Sequence, residues 1–449
     1  MRIGPATSLV FFFAACSSGA LVSPKNGDGG SLDAGSSEDA STGDDSGEPV
    51  DATGEHPSSV DASDAANCSG TLTMCGGRCV DTASDPSNCN GCGRVCTSGQ
   101  TCQSSQCGCP SGSWLCNGTC APKSQPCLLA QSTAAPWGIA IDSVNVYWTD
   151  VGPSSTTNTQ LSDGSVYAVP IAGGTRVSLA SAQAGPLDVA TDGTNLYWAN
   201  AGTTAGGYAD GSIAKVPVAG GTIVSLALSQ KSPQGIATGG HAVFWTNRGS
   251  SANNYTDGSV QQVGINGGAP IVLNAAGQYN PTSVALGVGS TYAFWTSDGT
   301  ATMNYADGVV MWATVGQAGS AMILASPQTW PINITVDLNY AYWTTLGTDA
   351  NNHTDGAILK RPLQGTSAIP LAASQLRPFG IAVDTNYVYW TNQGSAPNYS
   401  DGAIMRVPIA AGNVVTLASS RSRPRCIAVD ANAVYWVESV GGGVWKLAK

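Results

Sequence analysis

Short apolar runs alternate with turn residues from residue 136 to the C-terminus. Within one unit, "GIAVD", "VYWT", "AIMRVP" and "VVTLAS" are rich in β-branched and aromatic side chains and are separated by Asn, Gly, Asp and Pro. Runs of this length and composition predict β-strands, and no stretch shows the 3.6-residue period of an amphipathic helix. The pattern therefore predicts an all-β fold built from four-stranded units.

The unit occurs seven times in tandem. A Trp that follows Tyr or Phe recurs at intervals of 46 to 50 residues, and a Pro opens each unit. The tryptophans are Trp148, Trp198, Trp245, Trp295, Trp343, Trp390 and Trp436. Tandem four-stranded units of this length are typical of β-propeller blades.

The last unit, "PRCIAVDANAVYWVESVGGGVWKLAK", ends after three strands. The segment "CLLAQSTAAP", from Cys127 to Pro136, stands before the first unit at the place where a fourth strand belongs. We therefore predict a seven-bladed β-propeller over residues 128–449, closed by residues 128–130 beside residues 444–447. A closed ring leaves no free sheet edge, so we expect a monomer.

The units resemble the YWTD repeats of low-density lipoprotein receptor propellers and their bacterial relatives, in "LYWAN", "VYWTN" and "VYWTD" beside "GIAID" or "GIAVD". Receptor propellers have six blades, so the count of seven rests on the repeat itself. Only the first unit keeps the Asp at the fourth letter. The residues at that position are Asp150, Asn200, Asn247, Ser297, Thr345, Asn392 and Glu438. The inter-blade hydrogen bonding of the receptor type is therefore not carried over.

The first six units carry an insertion between "YWT" and a "DG" pair. If alternate connections share a face, these long loops lie together on one face, and long loops on a rigid scaffold are where binding sites usually occur. An aromatic side chain stands two residues before the Asp in most units. The residues at this position are Leu161, Tyr208, Tyr255, Tyr305, His353 and Tyr399.

Two interpretations of these loops remain open. Tyr, His and amide groups form a ring suited to a glycan or protein ligand, because Tyr offers flat area and a polar tip. The candidate ligand-binding residues are Tyr208, Tyr255, Tyr305, His353, Tyr399, Asn254, Asn304 and Asn398. Alternatively each aromatic side chain packs on its own loop and each Asp caps a turn. The aspartates, which would also suit weak Ca²⁺ binding, are Asp163, Asp210, Asp257, Asp307, Asp355 and Asp401.

Twelve of the fourteen cysteines lie in residues 68–127. A dense, even set in an exported chain predicts disulfides, whose pairing the spacing leaves open. Zinc is the alternative at "CNGC", but the segment contains no His. The stretch "CGGRCVDTASDPSNCNGCGRVCTSGQTCQSSQCGC" resembles cysteine-rich modules of bacterial surface lipoproteins and, more distantly, the plant Stig1 type. This resemblance implies an extracellular spacer or interaction module.

The N-terminus predicts export. A short apolar run precedes Cys16 in "FFFAAC", which resembles the bacterial lipobox, with Phe in place of the usual Leu. The resemblance implies a signal peptide over residues 1–15 and an outer-membrane or cell-surface protein held by a lipid on Cys16; an ordinary secretory signal is the alternative. Residues 16–67 are rich in Ser, Gly, Ala and Asp and predict a disordered acidic tether.

Charge and motifs narrow the function. The tether carries eleven acidic residues against one Lys, so most of the net charge of −11 lies there. No basic face points to nucleic acid; we interpret Arg421, Arg423 and Arg425 as solvated loop residues. No catalytic, metal or cofactor motif occurs. The sequence favours a non-enzymatic binding protein, with a propeller lyase or hydrolase that uses residues at the channel mouth as the alternative.

Overall fold

The structure is a computed structural model that describes residues 68–97, 99–132, 134–152, 162–274 and 278–449. The predicted signal peptide, the lipidation site Cys16 and the tether lie outside these residues. The described residues divide into two compact units. Residues 109–449, with 97 and 99, form one unit, and residues 68–96 with 100–108 form the other.

Seven four-stranded antiparallel sheets confirm the predicted seven-bladed propeller. The strands of each blade are given in order from the channel outward. Blade 1 consists of Pro136–Ile141, Asn145–Asp150, Gly164–Pro170 and Val177–Gln183; blade 2 of Pro186–Thr191, Asn195–Asn200, Gly211–Pro217 and Val224–Gln230; blade 3 of Pro233–Gly239, Ala242–Asn247, Ser259–Gly264 and Ile271–Val272; blade 4 of Pro281–Leu286, Tyr292–Ser297, Gly308–Thr314 and Met322–Gln328. Blade 5 consists of Pro331–Val336, Tyr340–Thr345, Gly356–Pro362 and Ile369–Gln375; blade 6 of Pro378–Val383, Tyr387–Asn392, Gly402–Pro408 and Val415–Arg421; blade 7 of Pro424–Val429, Ala433–Glu438, Gly443–Ala448 and Cys127–Gln131.

The N-terminal strand closes blade 7, as the sequence predicts. Its register pairs Ala130 with Val444 and Leu128 with Trp445. Leu129 is only 1% exposed and belongs to the same core cluster as Trp148 of blade 1. The strand therefore completes both the last sheet and the packing between the last and first blades.

The described helices are four 3₁₀ turns, Ser251–Asn253, Val288–Ser290, Ala301–Met303 and Asp349–Asn351. No helix among the described residues has the length and hydropathy of a membrane span. Three of the turns, all except Val288–Ser290, lie in the insertion loops of blades 3, 4 and 5.

Aromatic side chains fill the space between blades. Successive residues of a strand point to opposite sides of the sheet, so the Tyr or Phe of the repeat packs toward one neighbour and the Trp toward the other. Tyr147 of blade 1 and Trp198 of blade 2 share one buried cluster, and Tyr435 of blade 7 and Trp148 share another. All seven repeat tryptophans are fully buried.

Hydrogen bonds cross the same boundaries. Thr391, the third letter of the motif in blade 6, donates to the carbonyl of Arg425 in blade 7 at 2.6 Å. At the fourth letter, Asn392 donates to Gln375, the last residue of blade 5, which also accepts from the indole of Trp390. The two other Asn at this position bind Gln183 and Gln230 in the same way. Where the fourth letter is Asn, the bridge between blades thus uses an Asn–Gln pair in place of aspartate, and in blades 3 and 6 a Thr at the third letter adds a second bond.

The "DG" pair and the Pro that opens the next unit occur together for a steric reason. A Cβ on Gly211 would lie 2.4 Å from Cδ of Pro233. Only glycine leaves room for the ring of the following blade, which explains why both residues recur in the repeat.

The cysteine-rich segment contains three two-stranded hairpins. In each hairpin, the Cys of the second strand bonds to the Cys that lies 11 residues before it. The hairpins are Thr73–Cys75 with Arg78–Val80, Thr101–Gln103 with Gln106–Gly108, and Ser113–Cys116 with Thr119–Pro122. The six bonds within residues 68–127 are Cys68–Cys79, Cys75–Cys92, Cys89–Cys102, Cys96–Cys107, Cys109–Cys120 and Cys116–Cys127. The disulfide interpretation is confirmed: the sulfurs of Cys89, Cys96 and Cys107 lie within 4.8 Å of one another, but each is already bonded and cannot ligate zinc.

Lys446 fixes the third hairpin to the propeller. Its Nζ donates to the carbonyls of Leu115 and Ile171 at 3.1 and 2.8 Å and lies 4.5 Å from the ring centre of Trp114. Burial lowers the pKa of Lys446 to about 8. Two carbonyl oxygens and an aromatic face therefore replace water around the buried ammonium group.

We predict that Leu129→Ala lowers the free energy of unfolding by about 2 to 5 kcal/mol, because it leaves a cavity where the ring closes. Leu228→Ala is the control: Leu228 lies in the outer strand of blade 2 but is 67% exposed. Urea unfolding followed by tryptophan fluorescence measures both. Equal stability of the two variants, or an unchanged melting temperature after deletion of residues 127–131, would refute closure by this strand.

A second prediction concerns blade 7, where Arg421 and Glu438 replace the Gln–Asn pair and form a largely buried ion pair. Arg421→Gln leaves the carboxylate without its cation and is expected to cost about 3 to 5 kcal/mol. The double variant Arg421→Gln, Glu438→Asn recreates the Gln375–Asn392 pair and is expected to return to within about 1 kcal/mol of the parent. A double variant no more stable than the single one contradicts the equivalence of the two bridges.

Candidate functional site

The insertion loops and the connections between blades share one face of the propeller, here called the loop face. Each described loop hydrogen-bonds to the connection that follows its blade. The carbonyl of Tyr208 accepts from N–H of Ser232 at 2.7 Å, and that of Tyr399 accepts from Arg423 at 2.9 Å. The short turns lie on the opposite face, where Val218 donates to Thr194. The loops are therefore tied to the rim of the channel.

The repeated aspartates hold the loops in shape. In blade 6, Ser395 donates from its N–H and from Oγ to the two oxygens of Asp401, both at 2.7 Å, and these bonds lower the pKa of that carboxyl. Asp210, Asp257, Asp307 and Asp355 accept equivalent pairs of bonds from Thr203, Ser250, Thr300 and Thr348. Each of these carboxylates thus engages donors of its own loop. Asp163 is exposed, and residues 153–161 of its loop, with Leu161, lie outside the described residues.

A glycine makes this geometry accessible. Gly299 has φ +95°, and a Cβ there would lie 2.5 Å from the Asp307 carboxylate. The same Gly followed by Ser or Thr opens the other described loops. This Gly-Ser/Thr pair is a signal in the sequence that the predicted site did not include.

The aromatic residues of the loops share a left-handed backbone. Tyr208, Tyr255, Tyr305, His353 and Tyr399 have φ between 52° and 59°. Such a conformation is costly for a bulky side chain, and the N–H of each residue is held by a carbonyl of the loop, as in Tyr305 to Thr300 at 2.9 Å. The loop therefore fixes the direction in which each ring projects.

The rings and arginines form a row around the channel mouth. Tyr305 stacks on Trp330 with ring centres 4.0 Å apart, and Trp330 meets the edge of His353 at 5.5 Å. Arg248 lies 4.3 Å from the ring centre of Tyr255, and Arg423 lies 4.2 Å from that of Tyr399. We call this set the mouth arc; its members are Tyr208, Arg248, Tyr255, Tyr305, Trp330, His353, Arg377, Tyr399 and Arg423.

The predicted ligand-binding residues differ in exposure. The four tyrosines are half-buried, so each ring has one face on the protein and part of its area toward solvent. Asn254, Asn304 and Asn398 are exposed on the loops beside them. His353 is buried; its Nε2 lies 2.8 Å from Asp349 and its Nδ1 3.2 Å from the Gly347 carbonyl. The structure thus gathers the tyrosines and amides on one face and buries His353 against Trp330.

A buried acid, Asp298, lies at the mouth within the electrostatic influence of a buried cation, Arg248. Asp298 is 1% exposed and accepts from Thr282 Oγ1 at 3.3 Å. Burial raises the pKa of Asp298 to about 7, against the opposing charge of Arg248. Arg248 is 8% exposed and donates to Asn280 at 3.2 Å. A carboxyl group that titrates near neutral pH can donate or accept a proton under physiological conditions.

The interpretation of Arg421, Arg423 and Arg425 as solvated loop residues is wrong. Arg425 is 3% exposed, Arg423 is half-buried, and the side chain of Arg421 is paired with Glu438. The physical reason for Arg423 and Arg425 is their position directly before and after the Pro that opens blade 7, at the channel mouth. Arg377, which precedes Pro378, occupies the same place one blade earlier. Arg421 instead ends the outer strand of blade 6, where Glu438 of blade 7 holds it.

Two hollows elsewhere on the surface offer less chemistry. One is lined by Ile323, Ala325, Gln328, Arg361 and Ala368, beside the outer strand of blade 4 and the third strand of blade 5. The other lies in the disulfide unit and is lined by Asn90, Arg94 and Ser105, among others. Each contains a single ionisable group, whereas the mouth arc brings several together.

Comparison with known proteins gives no sequence family. No family model matches the chain, and no curated protein is similar to it at a significant level.

Solved structures share the fold. Catalytically inactive virginiamycin B lyase from Staphylococcus aureus, determined with quinupristin, is similar over 72% of this chain and 98% of that one, with a TM-score of 0.53 and 15% identity. Hydrazine synthase of Kuenenia stuttgartiensis is similar over 71% of this chain and 97% of that one, with a TM-score of 0.53 and 12% identity. A chain of the nidogen/laminin complex is similar over 54% of this chain and 91% of that one, with 18% identity. Its TM-score of 0.40 is too low to support a conclusion. These likenesses concern the propeller fold alone.

Proposed function

We propose that this chain is an exported surface protein, anchored through a lipid on Cys16, that binds a glycan or protein ligand on the loop face. The lipobox-like "FFFAAC" and the acidic tether support export and display. The six disulfides also support this, because such bonds persist in oxidising compartments.

The mouth arc is the single observation that carries the proposal. It presents half-buried tyrosines whose backbones are fixed by their loops and whose inner faces rest on Trp330 or on arginines. A rigid aromatic ring loses little entropy on binding and offers an apolar face beside a polar tip. Glycans and peptides both expose this mixture of apolar and hydrogen-bonding surface. The exposed amides of Asn254, Asn304 and Asn398 add donors and acceptors around it.

A second candidate function is a lyase or hydrolase that uses the same mouth. Asp298 favours it, because a buried carboxyl group with a pKa near 7 beside Arg248 is suited to proton transfer. In this alternative the tyrosines position a substrate and Asp298 removes or supplies a proton. The fold is compatible with this enzymatic function as well, since one structural neighbour of the chain is a lyase.

We predict that the triple variant Tyr255→Ala, Tyr305→Ala, Tyr399→Ala loses binding on an array of glycans, peptidoglycan fragments and extracellular proteins. Removal of each buried aromatic contact costs roughly 1 kcal/mol or more, so the triple variant is expected to bind at least ~100-fold more weakly. Tyr292→Ala is the matched control, because Tyr292 is 41% exposed and lies on the opposite face. If the triple variant and the parent give the same signal on every spot, the loop face is not the binding site.

The enzymatic alternative predicts turnover of a ligand found on that array. If Asp298 acts as a base, its carboxylate forms above its pKa, so the rate is expected to rise with pH through about 7 and then level off. Asp298→Asn is expected to reduce the rate at least ~100-fold with little change in affinity. Mass spectrometry of the ligand after incubation measures both, and an unchanged ligand at every pH eliminates this function.

A further inference from the structure

Three arginines lie at the channel mouth, next to the prolines that open blades 6 and 7. Arg377 and Arg423 immediately precede the Pro that opens a blade, and Arg425 immediately follows Pro424. The guanidinium carbons of Arg377 and Arg423 lie 5.8 and 4.2 Å from the ring centre of Tyr399. We call Arg377, Arg423 and Arg425 the arginine triad.

The third member is held deepest. The guanidinium carbon of Arg425 lies 3.4 Å from the ring centre of Trp137 and 5.4 Å from that of Phe379, and its Nε donates to Ser439 Oγ at 3.1 Å. Its backbone carbonyl is fixed by Thr391 of the preceding blade. The position of this cation is therefore set by the propeller core and not by a mobile loop.

No carboxylate balances the triad among the described residues. The ion pairs there are Lys231–Asp257, His353–Asp349, Arg421–Glu438 and Lys449–Asp384. Nε of Arg377 and Nε of Arg423 are buried and have no hydrogen-bond partner, and Nε2 of Gln393 beside them is in the same state. Buried donors without acceptors cost free energy that a suitable ligand would recover.

The charges of the triad also act on one another. Burial lowers the pKa of Arg425, and the neighbouring charge of Arg423 lowers it further. Burial lowers the pKa of Arg423 as well, with Arg377 adding to the effect against the opposing influence of Tyr399. Guanidinium groups nevertheless stay protonated in proteins. Like charges held together in a partly desolvated place bind an anion more strongly than any one of them alone.

We propose that the arginine triad is an anion subsite of the loop face and that the ligand is a carbohydrate that carries a carboxylate. A guanidinium group presents parallel N–H donors that match a carboxylate in two hydrogen bonds. Arg377 and Arg423 both contact the ring of Tyr399. The contacts among His353, Trp330 and Tyr305 continue the arc beside Arg377, whose backbone N–H donates to the carbonyl of His353. The half-buried rings of Tyr305 and Tyr399, next to cations whose positions are fixed, suit sugar rings on one side and an acidic group on the other. This inference rests on the binding function proposed above and names the chemical class of its ligand.

The test compares acidic oligosaccharides with their own methyl esters by isothermal titration calorimetry on the full chain. The probes are trigalacturonate, trimannuronate and a disaccharide containing muramic acid; each ester keeps the sugar and removes the charge. At least one acid is expected to bind ~10-fold or more tightly than its ester, with an affinity that falls as salt is raised. Sulfate alone and a peptide with a free C-terminal carboxylate form two further arms.

Variants assign the effect to the triad. Arg377→Gln with Arg423→Gln is expected to weaken binding of the acid by ~30-fold or more and to leave the ester unaffected. Arg377→Lys is expected to give an intermediate loss, because lysine keeps the charge but not the planar fork. Arg406→Gln is the matched control: Arg406 also stacks on a tyrosine, at 4.6 Å from the ring centre of Tyr387, but on the opposite face. Melting temperatures show whether each variant folds.

Several outcomes would overturn the inference. Equal affinity for every acid and its ester, or arginine variants that bind as the parent does, would remove the anion subsite. Arginine-dependent binding of the peptide or of sulfate, with no acidic sugar bound, would replace the carbohydrate by another ligand class. If neutral glycans bind and depend on Tyr255, Tyr305 and Tyr399 but not on the triad, the loop-face function stands and the anion subsite falls.

Discussion

Each blade of this propeller is stable only because the blade before it and the blade after it cover its two faces. The repeat places a Tyr or Phe and a Trp side by side in one strand, so the two rings point to opposite sides of the sheet. In all seven layers between blades, the Tyr or Phe of one blade packs with the Trp of the next. A missing sector would expose two such layers to water. Closure by the strand Cys127–Gln131 is therefore part of the core.

The same boundaries position the loop face. Thr at the third letter of the motif binds the carbonyl of the residue that follows Pro in the next blade, as Thr344 does to Phe379 and Thr391 does to Arg425. These carbonyl groups belong to the second residue of the first strand of each blade, and Phe379 and Arg425 are both buried there. The loops attach to the residue on the other side of the Pro, as Tyr305 does to Trp330. Packing between blades and the geometry of the mouth are thus set by one network.

The distribution of charge differs sharply from the average of the chain. The net charge of −11 describes an acidic protein, yet the loop face gathers Arg248, Arg377, Arg423 and Arg425 around the channel with Asp298 as the buried acid beside them. Cations in such a partly desolvated place attract an anion more strongly than cations on a solvated surface do, because water screens their charge less. The loop aspartates form no ion pair with these arginines among the described residues; their oxygens accept hydrogen bonds from Ser and Thr of their own loops.

The sequence by itself determined the strands, the seven units, the closing strand and the disulfide character of residues 68–127, because each follows from a local pattern or from a count along the chain. It also identified the loops that form one face. Only the tertiary structure decided what the side chains there do. Arg423 and Arg425 look like loop residues in a linear reading, and Arg377 lies 46 residues before Arg423, but the ring brings all three to the channel. His353 aligns with the tyrosines in the repeat but is buried and in contact with Trp330. A repeat fixes which positions are equivalent, whereas the curvature of a closed ring decides which of them meet.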